Sequence, residues 1–244
     1  MRALKFLLLA TAFVACSREP QLVSVTFDVA TVQSGEMTKV ATTAVSDALA
    51  ATAPTGPFTL NAVSTTNSLR TYKITTGETN TMAVDTYTDT GSGSGSEIAN
   101  VTSGKLYSSP KWSVNKQVAI TSDGGAVSVS ASYPCVAFII DKAVTSKLIF
   151  NNGADDVENY TYGGTSEVGV VYADGTWGYS NPLRVRVKPV DTVNQEETLF
   201  KCAHGDYDGM LNVRNGYWYN LVPGAVETAS GAFGLTFSGW EAGQ

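Results

Sequence analysis

Apolar and polar residues alternate in short runs along most of the chain, and Gly, Asn, Asp and Pro punctuate the runs. Residues 22–29 (LVSVTFDV) set Val23, Val25, Phe27 and Val29 on one face, the period-two signature of a strand with one buried side. Residues 57–63, 69–74 and 79–88 read the same way, with Met82, Val84 and Tyr87 inward in the last of them. Between the first two runs, residues 39–46 are rich in Thr and Ala, and residues 47–52 predict a single helical turn ahead of Pro54. The repeat Gly91-Ser92-Gly93-Ser94-Gly95-Ser96 predicts a flexible loop. Residues 117–121 and 126–131 flank Asp123-Gly124-Gly125 and predict a hairpin.

Residues 135–140 (CVAFII) form the most apolar run beyond the amino end. A run of this length without alternation predicts a strand buried on both faces at the centre of a sheet. Further strands are expected at 147–150, 158–162, 168–172, 176–179 and 183–187, with Pro189 ending the last. Residues 196–202 are ambiguous between a strand and a helical turn, and 216–221 and 233–240 close the chain as strands. Many short strands at roughly 8–12-residue spacing predict an all-β protein built from β-sandwiches.

The amino end departs from this pattern. Arg2 and Lys5 precede an unbroken apolar stretch, Phe6 to Ala15, which stops at Cys16. About 20 apolar residues are needed to span a bilayer, so this stretch predicts a signal peptide over residues 1–15. A small residue followed at once by cysteine resembles the lipobox of bacterial lipoproteins, with Phe13 in the place usually held by Leu. The resemblance implies that the Cys16 thiol carries lipid, palmitate among its chains, and that residues 16–21 are a polar tether. Acyl chains contribute about 0.8 kcal/mol per buried methylene, so a multiply acylated cysteine is a lasting membrane anchor. Ser17 rather than Asp at the next position implies sorting to the outer membrane, with the chain displayed at the cell surface.

Composition narrows the partners. The 244 residues carry 16 Lys and Arg against 22 Asp and Glu, a net charge of −6. Loss of residues 1–15 leaves 229 residues and a charge near −8. An acidic chain is a poor match for nucleic acid, which calls for clustered Lys and Arg, so no nucleic-acid partner is expected. With Cys16 lipidated, Cys135 and Cys202 remain, either as one disulfide of an exported protein or as two separate buried thiols.

Chemistry for catalysis is thin. His204 is the one histidine, which leaves no multi-histidine metal centre, and no Gly-x-Ser-x-Gly turn accompanies it. Asp206-Tyr207-Asp208-Gly209 offers part of a calcium loop without the later Glu. No catalytic residue, metal or cofactor is therefore assigned. Trp112, Trp177, Tyr179, Tyr217, Trp218, Tyr219 and Trp240 are read either as core or as a sugar-stacking platform. The second reading gives a glycan-binding surface lipoprotein and requires Trp177 and Trp218 to be exposed.

Four pieces together resemble the fimbrillin-like lipoproteins of Bacteroidales. They are the lipobox followed by residues 22–27, the segment 38–47 (TKVATTAVSD), Ile74-Thr75-Thr76-Gly77-Glu78 leading to Asp85-Thr86-Tyr87-Thr88, and the closing Tyr217-Trp218-Tyr219-Asn220-Leu221 with residues 235–243. The resemblance implies two tandem transthyretin-like, Greek-key β-sandwiches, over residues 22–132 and 133–244, and a non-enzymatic role in adhesion or in a fimbrium. Its partners are then the membrane, through the lipid, and other fimbrial subunits or ligands on host and bacterial surfaces. In polymerising members a cut behind the first strand frees a groove for another subunit's strand. The family cut usually follows Arg, and none lies between residue 29 and Asp47; Lys39 is the basic residue there and the candidate processing site.

Overall fold

The computed structural model describes residues 20–29, 42–64, 70–129, 131–153, 155–157, 162–224 and 229–232. Cys16, Lys39 and the strand expected at 233–240 lie outside the described residues. The described chain is nearly all β, with one helix and four sheets, and the all-β expectation holds.

The first sheet has three strands. In it β1 (Leu22–Val29) lies between β4 (Thr79–Ala83), antiparallel, and β9 (Gly125–Val129), parallel. The second has four, in the order β3 (Thr71–Ile74), β2 (Phe58–Ala62), β5 (Asp85–Gly93) and β8 (Trp112–Ile120), all antiparallel. The third is the centre of the molecule. Its order is β19 (Ala229–Ala232), β18 (Tyr217–Asn220), β10 (Val136–Asp141), β14 (Val168–Gly175), β7 (Gly104–Tyr107) and β6 (Glu97–Val101), with β13 (Gly163–Gly164) also on β14. The fourth runs β12 (Asp155–Val157), β11 (Thr145–Asn152), β15 (Leu183–Pro189), β16 (Thr198–Ala203) and β17 (Leu211–Asn212).

The central sheet is buried on both sides, which explains the uninterrupted apolar run at its heart. Cys135, Ala137, Ile139, Val170, Tyr172 and Trp218 face one core, shared with Val25, Phe27, Leu60, Met82 and Tyr87 of the first two sheets. Val136, Phe138, Ile140, Val171, Ala173 and Tyr219 face a second core, completed by Leu148, Phe150, Val185, Val187 and Cys202 of the fourth sheet. The two sides of β18 thus serve different cores. Strands from both halves of the chain build the central sheet: β7 pairs with β14, with Tyr107 opposite Tyr172. The hairpin β6–β7 therefore sits in the same sheet as strands on the far side of position 132/133.

Three local expectations are corrected. The helix α1 (Thr42–Ala50) is longer than the single turn expected at 47–52. Val45, Ala48 and Leu49, spaced at three and four residues, are all buried in the first core, so packing stabilises a segment of modest helix propensity. The Gly-Ser repeat begins as strand, because Gly91, Ser92 and Gly93 pair with Val114, Ser113 and Trp112. A Cβ on Gly93 would lie 2.1 Å from Trp112 Nε1, so glycine is what lets the indole lie across the strand. The hairpin expected around Asp123-Gly124-Gly125 is not formed. β8 pairs with β5 and β9 with β1, so this turn carries the chain from one sheet to another.

Candidate functional site

The element singled out by sequence, β1, is an interior strand. Its alternation does what the pattern requires: Val25 and Phe27 are fully buried, Val23 packs against the same core, and Leu22 on the other face is 56% exposed. Full burial of a side chain the size of Val or Phe contributes roughly 1.5–3 kcal/mol. On one edge Leu22 to Thr26 pair with Ala83 to Thr79, and the Thr26 and Thr79 hydroxyls lie 2.9 Å apart. On the other edge Val25 to Val29 pair with Gly125 to Val129. The Gly77 amide donates to the Phe27 carbonyl at 2.7 Å, and the Val84 amide to that of Gln21 at 2.8 Å. Gly124, at φ +64°, lets the turn pass so close that a Cβ there would lie 2.6 Å from the Ser24 carbonyl oxygen.

Withdrawal of β1 would uncover two rows of backbone donors and acceptors, on β4 and β9, and the places of Val25 and Phe27 between them. Bare edges of this kind pair readily with another extended segment. The slot is defined chemically by apolar side chains at every second position, flanked by main-chain hydrogen-bonding groups.

The second sheet holds a buried carboxylate that the sequence reading does not single out. Asp89 of β5 is 1% exposed, stands opposite Leu60, and shares the inward face of its strand with buried Tyr87. Its Oδ1 has no hydrogen-bond partner, and burial pushes its carboxyl from 3.8 up to about 6. Lys116 occupies the opposite position on β8 but is exposed to solvent. The alternation Tyr87-Thr88-Asp89 is the sequence signal by which this carboxylate could have been found.

The remaining candidates resolve into structural roles. The candidate disulfide is not formed: Cys135 and Cys202 are free, both buried, and belong to the two different cores. The central sheet separates those cores, so backbone movement would be needed to join them. Burial pushes the Cys135 thiol up to about 12, and also raises Cys202, so neither is a ready thiolate. His204 stacks on Trp177 with ring centroids 5.3 Å apart, and its Nδ1 and Nε2 lie 2.9 and 3.2 Å from the carbonyls of Val213 and Gly175. Among the described residues no three His, Cys, Asp or Glu side chains gather as a metal site.

The aromatics do not assemble the expected sugar platform from their tryptophans. Trp177 is 2% and Trp218 0% exposed. Trp177 donates its indole N–H to the Thr102 carbonyl at 2.8 Å. Trp112 lies tilted against Phe58, and Tyr219 is buried in the second core. Tyr179 remains outside at 66% exposure, against Tyr207. No protein-family model matches this chain, and no curated protein or solved structure shows significant similarity to it.

Proposed function

We propose that this chain is a non-enzymatic surface lipoprotein of the outer membrane, held by lipid on Cys16, that joins a fimbrium as a fimbrillin-like subunit or anchor by strand addition. The observation that carries the reading is the position of β1. It is the first strand after the tether, it is paired on both edges, and it plugs Val25 and Phe27 into the first core. A cut after Lys39 would leave β1 held without a covalent link, by its main-chain hydrogen bonds, the Thr26–Thr79 hydroxyl contact and the packing of Val23, Val25 and Phe27. Its departure would free the ectodomain from its lipid and open a slot that fits the β1 strand of no further protein unless that strand repeats the same alternation. Strand addition of this kind draws affinity from main-chain hydrogen bonds and specificity from alternate side-chain pockets.

The test is incubation of the full chain with a Lys-specific protease, followed by amino-terminal sequencing and sizing. A discrete cut after Lys39, and a product that forms oligomers, is the expected result; Lys39→Gln should abolish both. An excess of a peptide with the sequence of residues 22–29 should cap the slot and hold the product monomeric. A cleaved product that stays monomeric without peptide would refute assembly by strand addition. Labelled palmitate should enter the chain in a bacterial host and be lost in Cys16→Ser.

A further inference from the structure

Three loops meet beside the first core around an open cavity of about 300 Å³. The loop after α1 contributes Thr52, Pro54 and Thr55, the turn between β5 and β6 contributes Gly95, and the chain entering β8 contributes Ser109, Pro110 and Trp112. The wall is tied together by its own backbone. The Ser108 amide donates to the Ser96 carbonyl at 2.9 Å, and the Ser96 amide to the Ser109 hydroxyl at 3.0 Å. Gly95, at φ +74°, lies so close to this loop that a Cβ would come within 2.6 Å of the Ser109 carbonyl oxygen. None of the described lining residues is charged. Lys111, next in the chain, has its ammonium 2.6 Å from Asp174.

Trp112 is held in place by packing. It stands opposite Gly93 on β5, and Cβ atoms added at Gly91 and Gly93 would lie 3.2 and 2.1 Å from the indole. One face of the ring therefore rests on bare strand, and Phe58 packs against it with centroids 5.2 Å apart. The residue remains partly exposed. Among the described residues nothing accepts its indole N–H, whereas that of Trp177 is bonded to the Thr102 carbonyl. The Thr55 hydroxyl is also without a partner among them, on an exposed residue. The Thr52 hydroxyl, in contrast, already donates to its own helix end at Leu49.

We infer that this cavity binds one neutral sugar ring, stacked on Trp112. Its volume lies at the small end of ligand sites, which suits one ring rather than a chain. A pyranose presents a face of weakly positive C–H groups to the negative face of an indole. Its hydroxyls can accept from the Trp112 N–H and bond the Thr55 hydroxyl. A carboxylate, phosphate or ammonium would enter a site with no opposite charge to meet it. A wholly apolar ligand would cover the indole N–H and leave it unbonded. The site differs from a flat platform of several rings, which the burial of Trp177 and Trp218 removes. It is independent of strand addition, because none of its residues belongs to β1, β4 or β9.

The probes are the methyl glycosides of glucose, galactose, mannose and N-acetylglucosamine, with glycerol as an acyclic polyol. Acrylamide quenching of tryptophan emission is read on the full chain carrying Trp240→Phe. Trp177 and Trp218 are buried, so Trp112 supplies the quenchable emission. At least one glycoside should shield Trp112, and glycerol should not. By saturation-transfer NMR, Trp112→Phe should weaken that glycoside about tenfold, through loss of the N–H and of ring area. Thr55→Val should weaken it about threefold at an unchanged urea midpoint, which separates lost binding from unfolding. Tyr179→Ala, at the exposed pair with Tyr207, should leave binding within about twofold. Failure of every glycoside to shield Trp112 would overturn the inference. So would equal shielding by glycerol, undiminished binding in both Trp112→Phe and Thr55→Val, or loss of binding in Tyr179→Ala. Stronger shielding by a proline-rich peptide, which aromatic-lined grooves also take, would overturn it too.

Discussion

Replacement of Asp89 by Asn should make the protein more stable at neutral pH and remove one component of its pH response. The carboxyl is 1% exposed, its Oδ1 has no partner, and burial raises it from 3.8 to about 6. The folded state therefore favours the protonated acid. Below pH 3.8 the group is protonated folded and unfolded, and costs nothing. As pH rises from 3.8 to about 6, the unfolded chain releases the proton first and stability falls; above about 6 the penalty is complete. A displacement of about two units corresponds to about 3 kcal/mol. Asn keeps the size of the side chain and cannot ionise. Urea unfolding of parent and Asp89→Asn across pH 4–8 is the assay, and the quantity to read is the difference between them. Carboxylates held low, such as Asp191 with its bonds from Asn194 and Val193, act in the opposite direction but cancel in that difference. The variant should match the parent near pH 4 and exceed it by up to about 3 kcal/mol at pH 7. A flat difference curve, or a variant less stable than the parent at pH 7, would refute the assignment of a destabilising buried carboxylate.

Two further outcomes test the packing. Gly93→Ala places a methyl 2.1 Å from Trp112 Nε1 and should cost about 1–3 kcal/mol while shifting tryptophan emission; an unperturbed spectrum would show that the indole does not lie on that strand. In a Cys16→Ser chain, native protein should give no fast reaction with a thiol reagent and denatured protein should give two thiols per chain, since Cys135 and Cys202 are buried, unbridged and raised in pKa. A count below two after denaturation without reductant would establish a disulfide.

Sequence legibility followed the physics of each segment. The run 135–140 was readable because a strand covered on both faces has no polar position to break it, and it became β10. Alternation in 22–29 and 183–187 was readable because one core lies beneath each strand. Partnership was not readable. The turn at Asp123-Gly124-Gly125 has good hairpin chemistry, yet its flanking strands find partners in different sheets, a choice made by distant residues. The strand through Gly91 and Gly93 was hidden because its side-chain volume is supplied by Trp112 on the neighbouring strand.

The hairpin β6–β7 bears on how the molecule comes into being. Its outer partner, β14, belongs to the later half of the chain, as do β10 and β18 beyond it. During synthesis the hairpin emerges well before the edge it must join, and loop closure over so long a separation is slow. The earlier half therefore cannot be completed while the later half is still being made. The two cores close together, late, around one shared sheet, and a chain whose synthesis stalls between its halves would expose the unpaired edge of Gly104–Tyr107.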